Sequence, residues 1–259
     1  MGKMHIDQTF QEKLAANSKL FIPYIMAGDS GLDQLNEQIA FLEECGVSAI
    51  ELGIPFSDPV ADGPTIQAAG QRALKAGTTL SGVLKELEKS KETRHVPIIL
   101  MTYINPIFRY GSAKFAENCA AAGVDGVIIP DVPMEEELLL SESLKENDIA
   151  FIRLAALTST KERIQAIAER SEGFLYAVSV TGTTGARTTH KDGVGDYLAS
   201  LKQASSVPVL AGFGVSSIEQ AHALSKHCDG VIVGSTIVSL LHEGKREEIT
   251  ELIQGSIAK

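Results

Sequence analysis

The sequence predicts an α/β protein, a single-domain (β/α)8 TIM barrel of residues 1–259 with an extra helix before the first strand. Three observations support this fold class. Apolar, β-rich runs recur roughly every 25 to 30 residues, each followed by a stretch of helical period, as in parallel strands joined by helices. There are eight such runs, the number that closes a barrel. No Pro-, Gly- or Ser-rich linker divides the chain. An open doubly wound sheet is the competing architecture.

The elements follow in order along the chain, starting with a helix at 8–16. Strands are expected at 20–26, 47–52, 97–101, 126–129, 150–154, 174–178, 207–210 and 230–233. Helices are expected at 32–44, 66–75, 80–91, 113–122, 134–146, 160–169, 194–203, 216–225 and 237–254. Ser159 stands at a helix start as a cap, and Gly46, Gly77 and Gly123 stand where helices should end. Pro23 lies within the first strand, where we expect local irregularity.

Composition excludes several classes of function. The formal charge of -10 argues against general affinity for nucleic acid or anionic membranes, although backbone N–H groups can still bind a phosphorylated substrate. The first residues lack the apolar core of a signal peptide, and the longest apolar stretch, 231–241, is too short to span a bilayer. We therefore expect a soluble cytoplasmic protein with no membrane association.

Cysteine and histidine usage gives no sign of a disulfide or a metal site. Cys45, Cys119 and Cys228 are odd in number and far apart, so buried free thiols are expected. The six His residues show no ligand spacing, and no metal is expected.

Two carboxylates mark the most informative segment. The run 47–52 reads as a buried strand in which Ala49 and Glu51 share one face, so Glu51 points where a barrel keeps apolar side chains. A buried Arg or Lys partner is one explanation, because an unpaired buried carboxylate is costly. The loop that follows is long, stiff and polar and contains Asp62, which favours a functional explanation. The pair has the arrangement of an acid and a base.

The remaining strand ends bear on function because a barrel builds its active site from the loops after its strands. They carry no Lys, which argues against Schiff-base chemistry, and no grouped His, which argues against metal-assisted chemistry. Proton transfer by carboxylates to a substrate with its own electron sink remains. The polar groups at these ends are Gly28-Asp29, Glu51 with Asp58 and Asp62, Thr102-Tyr103-Asn105, Asp131, Thr158-Ser159, 179–189, Gly212-Phe213-Gly214 and Gly234-Ser235.

The last three of these loops have the character of a phosphate cradle. Gly182, Gly185, Gly212 and Gly214 allow backbone amides to approach an anion, and Gly234-Ser235 leads into a helix start after the eighth strand. The polar, glycine-rich segment 180–189 is long enough to act as a lid. The sequence therefore predicts a phosphate site between these loops.

These motifs together resemble the tryptophan synthase alpha subunit family. The match spans the chain from the first strand to the eighth, in the family's order. The segments are Phe21-Ile-Pro-Tyr-Ile-Met-Ala-Gly-Asp29, Glu-Leu-Gly-Ile-Pro-Phe-Ser-Asp-Pro-Val-Ala-Asp-Gly-Pro at 51–64, Pro130-Asp131-Val-Pro133, Gly212-Phe-Gly214 and Gly234-Ser235. The resemblance implies cleavage of indole-3-glycerol phosphate to indole and glyceraldehyde 3-phosphate without a cofactor. It also implies an alpha2beta2 complex in which indole passes to a beta subunit.

The resemblance implies a role for each matching residue. Glu51 would be the acid/base, with a raised pKa, and Asp62 would hold the indole N–H as an ionised carboxylate. Tyr24, Tyr176 and Phe213 would line the indole pocket. The phosphate would be bound by Gly185, Gly214, Gly234 and Ser235, and the beta subunit would be faced by Pro55, Asp58 and Asn105.

Two departures from the family pattern, Ser30 and Thr183, neither supply nor remove a catalytic group. Arg153 in the fifth strand has two open interpretations. If it points inward, it could pair with Glu51 and lower the pKa of that carboxyl; it could equally face outward or toward the phosphate.

Three alternative functions stay open on sequence grounds. A sugar-phosphate isomerase on the same barrel shares the phosphate loops. The isomerases that act on phosphoribosyl substrates, however, need an Asp after the fifth strand, where this chain has Thr158. A catalytically poor activator of a partner enzyme would not need both Glu51 and Asp62. A stand-alone lyase that releases free indole would use the same residues.

Overall fold

The computed structural model describes residues 1–178 and 193–258. Within these residues, nine parallel strands form one sheet in the order β5-β4-β3-β2-β1-β9-β8-β7-β6. They are β1 Leu20–Met26, β2 Ile50–Gly53, β3 Ile98–Met101, β4 Gly126–Ile128, β5 Ala150–Phe151, β6 Arg153–Ala156, β7 Leu175–Val178, β8 Val209–Gly212 and β9 Gly230–Val233.

The two strands at the ends of this order are consecutive in the chain and are separated by Ile152 alone. β5 pairs with β4 and β6 pairs with β7, so the predicted fifth strand is divided in two and links both edges of the sheet. The sheet therefore wraps into a barrel, and the (β/α)8 prediction is confirmed. All eight predicted strand segments are present.

Helices surround the barrel. They are α1 Lys3–Ala15, α2 Leu35–Glu44, α3 Pro64–Lys75, α4 Leu80–Lys89, α5 Ile104–Tyr110, α6 Ser112–Ala121, α7 Ser141–Glu146, α8 Lys161–Arg170, α9 Val194–Ala204, α10 Ile218–Ser225, α11 Ser235–His242 and α12 Arg246–Ile257, with 3-10 turns at Leu32–Gln34 and Met134–Leu139. None of the described helices has the length and apolar character needed to cross a membrane.

Three helix predictions need correction. The helix expected at 134–146 is a 3-10 turn, Met134–Leu139, followed by α7, because Leu140 between them leaves helical geometry with a φ of -137°. The cap expected at Ser159 is Thr160, whose hydroxyl oxygen accepts the N–H of Arg163.

The single helix expected at 237–254 is two helices, α11 and α12, because the chain turns at Gly244 with a φ of 72°. The helix α5 is absent from the prediction. Its first N–H group, on Ile104, is satisfied by the carboxylate of Asp131 at 3.0 and 3.2 Å, so its start depends on a residue far away in sequence.

Pro23 affects hydrogen bonding as expected. The register between β1 and β2 begins at Tyr24, one residue after the proline. Before it, the N–H of Phe21 bonds the side-chain oxygen of Ser48 at 3.1 Å rather than a strand carbonyl. The strand stays extended because its partner on the other side, β9, pairs with it through Pro23.

The barrel interior is apolar at its amino-terminal end. Alternate strand residues, such as Ile22, Ala49 and Ile99, form one buried cluster, and α1 closes this end with Ile6 and Phe10, which are at most 1% exposed. Burial of each such large side chain contributes about 1.5–3 kcal/mol. The amino-terminal end is therefore a packed plug, which leaves the opposite end for a site.

The three cysteines, Cys45, Cys119 and Cys228, are buried free thiols, as predicted. Burial raises the pKa of Cys228 to about 11, so this thiol stays protonated near neutral pH.

Candidate active site

A cavity opens at the carboxyl-terminal end of the barrel strands. Six strands contribute to its wall, together with the loops that follow β2, β8 and β9. The lining residues are Tyr24, Glu51, Ala61, Asp62, Ile66, Met101, Tyr176, Gly212, Gly214, Val215, Ile232, Gly234, Ser235 and Thr236.

Glu51 enters this cavity from β2. The strand register aligns it with Tyr24 on β1 and Ile99 on β3, and only 1% of its surface is exposed. Its Oε2 atom has no hydrogen-bond partner among the described residues. Burial, with a smaller contribution from the charge of Asp62, raises the pKa of Glu51 to about 8. The carboxyl group is therefore protonated at neutral pH and free to exchange its proton with a ligand.

No cation neutralises Glu51 within the part of the chain that the structure describes. Arg153 faces away from the barrel interior, where its Nε bonds Oε2 of Glu137 at 2.9 Å and its guanidinium lies over the ring of Phe151. Glu137 also accepts a bond from Arg170 at 2.9 Å. The inward-facing interpretation of Arg153 is excluded, and so is the explanation of Glu51 as half of a buried ion pair.

Asp62 reaches the same cavity from the loop between β2 and α3. The loop is folded by local backbone bonds, including Asp62 N–H to the carbonyl of Pro59 at 3.1 Å, and Gln67 donates to the Asp62 carbonyl at 2.8 Å. The side chain is half-buried. Desolvation raises its pKa to about 6, against a hydrogen bond from the Tyr103 hydroxyl that lowers it. At neutral pH the two carboxyl groups are therefore in different states, Glu51 protonated and Asp62 ionised.

Two tyrosine rings form part of the cavity wall, and each lies against a glycine. A Cβ atom on Gly53 would stand 1.9 Å from the Tyr24 hydroxyl, and one on Gly212 would stand 2.4 Å from the Tyr176 ring. Burial raises the pKa of both tyrosines well above the usual value, so both hydroxyls stay neutral. Gly212, which is expected in the phosphate cradle, lines the cavity and also makes room for Tyr176; its contact with phosphate stays a prediction.

The predicted phosphate side is built around the start of α11. Gly234 is the N-cap residue of this helix, Ser235 is its first residue, and both line the cavity with Gly214. Gly214 has a φ of 68°, which favours glycine. The N–H groups of a first helical turn have no intrahelical acceptor and attract anions. Gly185 and the predicted lid 180–189 lie outside the described residues.

Phe213 is placed differently from the other predicted pocket residues. It is partly buried, its ring packs against Tyr197 with centroids 6.4 Å apart, and it is not among the cavity-lining residues. Its role in the pocket stays a prediction.

The predicted partner positions lie in the chain segments that follow β2 and β3, and they differ in exposure. Pro55 is buried, whereas Asp58 and Asn105 are exposed. Two large apolar side chains nearby are also exposed, Val60 at 79% and Phe108 at 50%. Neither of these two residues was predicted to be functional, although an apolar residue in a polar loop and another shortly after a strand end were visible in the sequence.

The described residues contain no group of three or more His, Cys, Asp or Glu side chains arranged to hold a metal ion.

The fold and the site together define the class of protein, a (β/α)8-barrel enzyme with its cavity at the carboxyl-terminal end of the strands. Comparisons with known proteins identify the family. The family model described as tryptophan synthase alpha chain matches residues 10–258. The tryptophan synthase alpha chain of Oceanobacillus iheyensis is 59% identical over 259 residues, which is 100% of this chain and 99% of that relative. The chain therefore belongs to the tryptophan synthase alpha chain family and is a lyase of the tryptophan synthase type.

Other relatives and solved structures agree. The tryptophan synthase alpha chain of a Bacillus cereus strain is 48% identical over 259 residues, covering 100% of this chain and 99% of its own. A structure of Mycobacterium tuberculosis tryptophan synthase superposes with a TM-score of 0.90 at 35% identity, covering 98% of each chain. The tryptophan synthase alpha chain of Legionella pneumophila subsp. pneumophila superposes with a TM-score of 0.87 at 32% identity, covering 99% of this chain and 96% of that one.

Proposed function

We propose that this protein cleaves indole-3-glycerol phosphate to indole and D-glyceraldehyde 3-phosphate, without a cofactor, as one cytoplasmic barrel domain of residues 1–259. The observation that carries the proposal is the buried Glu51 carboxyl group, which has no counter-ion among the described residues and lies in the same cavity as Asp62. Membership of the tryptophan synthase alpha chain family supports it.

The reaction needs a proton delivered to carbon and a proton removed from oxygen. Protonation of indole C3 by Glu51 gives an indolenine cation, which is the electron sink. Loss of the C3′ hydroxyl proton to the resulting carboxylate forms the aldehyde as the bond between C3 and C3′ breaks, and the bonding electrons return to the ring. Glu51 ends the cycle protonated, which suits a group whose pKa is about 8.

Asp62 complements this proton transfer. As positive charge develops at N1 of the ring, an ionised carboxylate that accepts the N–H stabilises it. Its pKa of about 6 keeps Asp62 ionised at neutral pH while Glu51 holds its proton. Two carboxyl groups with separated pKa values can thus act as acid and as electrostatic stabiliser in one cavity.

The cavity wall offers a suitable surface for each part of the substrate. The apolar surfaces of Tyr24 and Tyr176 suit the indole ring, and Phe213 would extend them. The phosphate would lie at the start of α11, bound by backbone groups of Gly214, Gly234 and Ser235, with Gly185 added from the preceding loop.

The product indole would pass to a beta subunit in an alpha2beta2 complex. Pro55, Asp58 and Asn105 are the proposed contact positions, and the exposed side chains of Val60 and Phe108 add apolar surface near them in the chain.

The proposal is tested by assaying indole release from indole-3-glycerol phosphate, with and without a beta subunit. We expect Glu51→Gln to lower kcat by about 10²–10⁴ and Asp62→Asn by about 10²–10³. Glu117→Gln, an exposed carboxylate on α6, is the matched control and should keep wild-type turnover. A rate that rises strongly on adding the partner indicates a dedicated subunit, and rapid cleavage by the chain alone indicates a stand-alone lyase. The proposal is wrong if the wild type releases no indole in either mixture, which would favour an isomerase or a pure activator.

A further inference from the structure

Tyr103 contacts the loop that carries Asp62 but is not among the residues that line the cavity. It is the N-cap residue of α5, at the end of the third strand, and only 4% of its surface is exposed. Its hydroxyl oxygen accepts a hydrogen bond from the backbone N–H of Ala61 at 3.0 Å. The same hydroxyl group lies close enough to the side chain of Asp62 to lower the pKa of that carboxyl group. One phenol group thus contacts both the backbone and the carboxylate of the loop that carries Asp62.

The number of protons that each group can donate fixes which group is the donor. A phenol has one proton to donate, and the Ala61 N–H can only donate. The hydroxyl proton is therefore available for the Asp62 carboxylate, which only accepts when it is ionised. A hydroxyl that donates to an ionised carboxylate stabilises its charge and favours one orientation of the carboxylate.

The position of Tyr103 is itself held from two sides. Its ring packs against Phe56, at the start of the same loop, with centroids 5.4 Å apart. The next residue, Ile104, is anchored by the Asp131 carboxylate at 3.0 and 3.2 Å. The hydroxyl is therefore a fixed point against which the loop between β2 and α3 is placed.

We propose that Tyr103 is the positioning residue for Asp62, anchoring its loop through the Ala61 N–H and orienting its carboxylate toward the indole N–H. This inference rests on the proposed function. A donor on one side of the carboxylate favours its charged form and leaves its other lone pairs for the ligand. Because burial raises the pKa of Tyr103 above its usual value, the phenol stays protonated and remains a donor across the working pH range.

The test is the pair Tyr103→Phe and Tyr110→Phe. Tyr110, on the same helix, loses a hydroxyl that bonds Asn118 at 2.6 Å, away from Asp62, and serves as the matched control. In Tyr103→Phe we expect the acidic limb of the kcat/KM profile to move up from near 6 by about one to two pH units, because the bond that favours ionised Asp62 is gone. Activity at pH 6 should fall about tenfold or more and recover partly at pH 8.

A second readout does not depend on turnover. The Asp62 carboxyl carbon, assigned by its loss in Asp62→Asn, is titrated by carbon-13 NMR in the wild type and in both phenylalanine variants. We expect the Asp62 pKa to rise in Tyr103→Phe alone. If Tyr103→Phe folds poorly, fluorotyrosine at position 103, a stronger donor, should instead lower the Asp62 pKa.

The kcat/KM profile and the NMR titration together distinguish a positioning role of Tyr103 from a structural one. An unmoved acidic limb together with an unmoved Asp62 titration would overturn the inference, even if Tyr103→Phe were slow, because slowness without a shift means a structural role. A shifted NMR titration in a wild-type chain that releases no indole would refute the proposed function while supporting the contact between Tyr103 and Asp62.

Discussion

Replacing Glu51 with Gln measures how much free energy of unfolding the protein loses when the buried carboxyl group of Glu51 ionises. The pKa of Glu51 is 4.5 in the reference state and about 8 in the folded chain. The folded state therefore binds more protons than the unfolded state between these values, and the free energy of unfolding falls as pH rises through this window. At ~1.4 kcal/mol for each tenfold change, the full loss is up to about 5 kcal/mol.

The Gln variant has the same shape but cannot ionise. Its stability relative to the wild type should therefore increase from about pH 5 to about pH 8 and then level off, while contributions from other groups cancel in the difference. The assay is urea unfolding across this pH range, with Glu117→Gln as the exposed control that should track the wild type. A stability difference that does not change with pH would refute the claim that Glu51 is buried and unpaired.

Three further substitutions test other parts of the account. Phe10→Ala should lower the free energy of unfolding by about 3–5 kcal/mol in urea titrations, because it empties the amino-terminal plug, while the turnover of folded protein stays normal. Arg153→Met should leave the alkaline limb of kcat/KM in place, since its guanidinium bonds a carboxylate outside the barrel; a moved limb would contradict that orientation. Gly53→Ala should displace the Tyr24 ring and lower kcat/KM, whereas Gly70→Ala, whose new methyl group meets a neighbour at an ordinary 3.6 Å, should not.

Periodicity was enough to predict the barrel but not every boundary. Each strand of a parallel barrel is buried on both faces, so apolar runs located the strands well, and the alternation of Ala49 and Glu51 correctly oriented Glu51 inward. The same two-sided burial explains why the orientation of Arg153 could not be decided from sequence. Its partner Glu137 lies in a 3-10 turn of another segment, and no sequence rule predicts that this turn packs against the strand of Arg153.

The missing elements depend on distant residues. α5 spans only 7 residues, and its start is satisfied by Asp131, so no local pattern indicates it. Gly212 lines the cavity as expected, but its close contact with the Tyr176 ring could not be predicted, because a glycine in sequence does not show which side chain lies against it. Tyr103 was visible at a strand end, but its contact with Asp62 joins two loops and appears only in the folded chain.

The most direct test of the central claim is the pH dependence of kcat/KM for indole formation from about pH 5 to about pH 9. Activity requires Asp62 ionised and Glu51 protonated, so it should rise through a pKa near 6, reach a maximum near neutrality and fall through a pKa near 8. In Glu51→Gln the residual activity should lose the alkaline limb and keep the acidic one. A wild-type profile that is flat across this range, or an alkaline limb that persists in the Gln variant, would contradict the assignment of these two carboxyl groups.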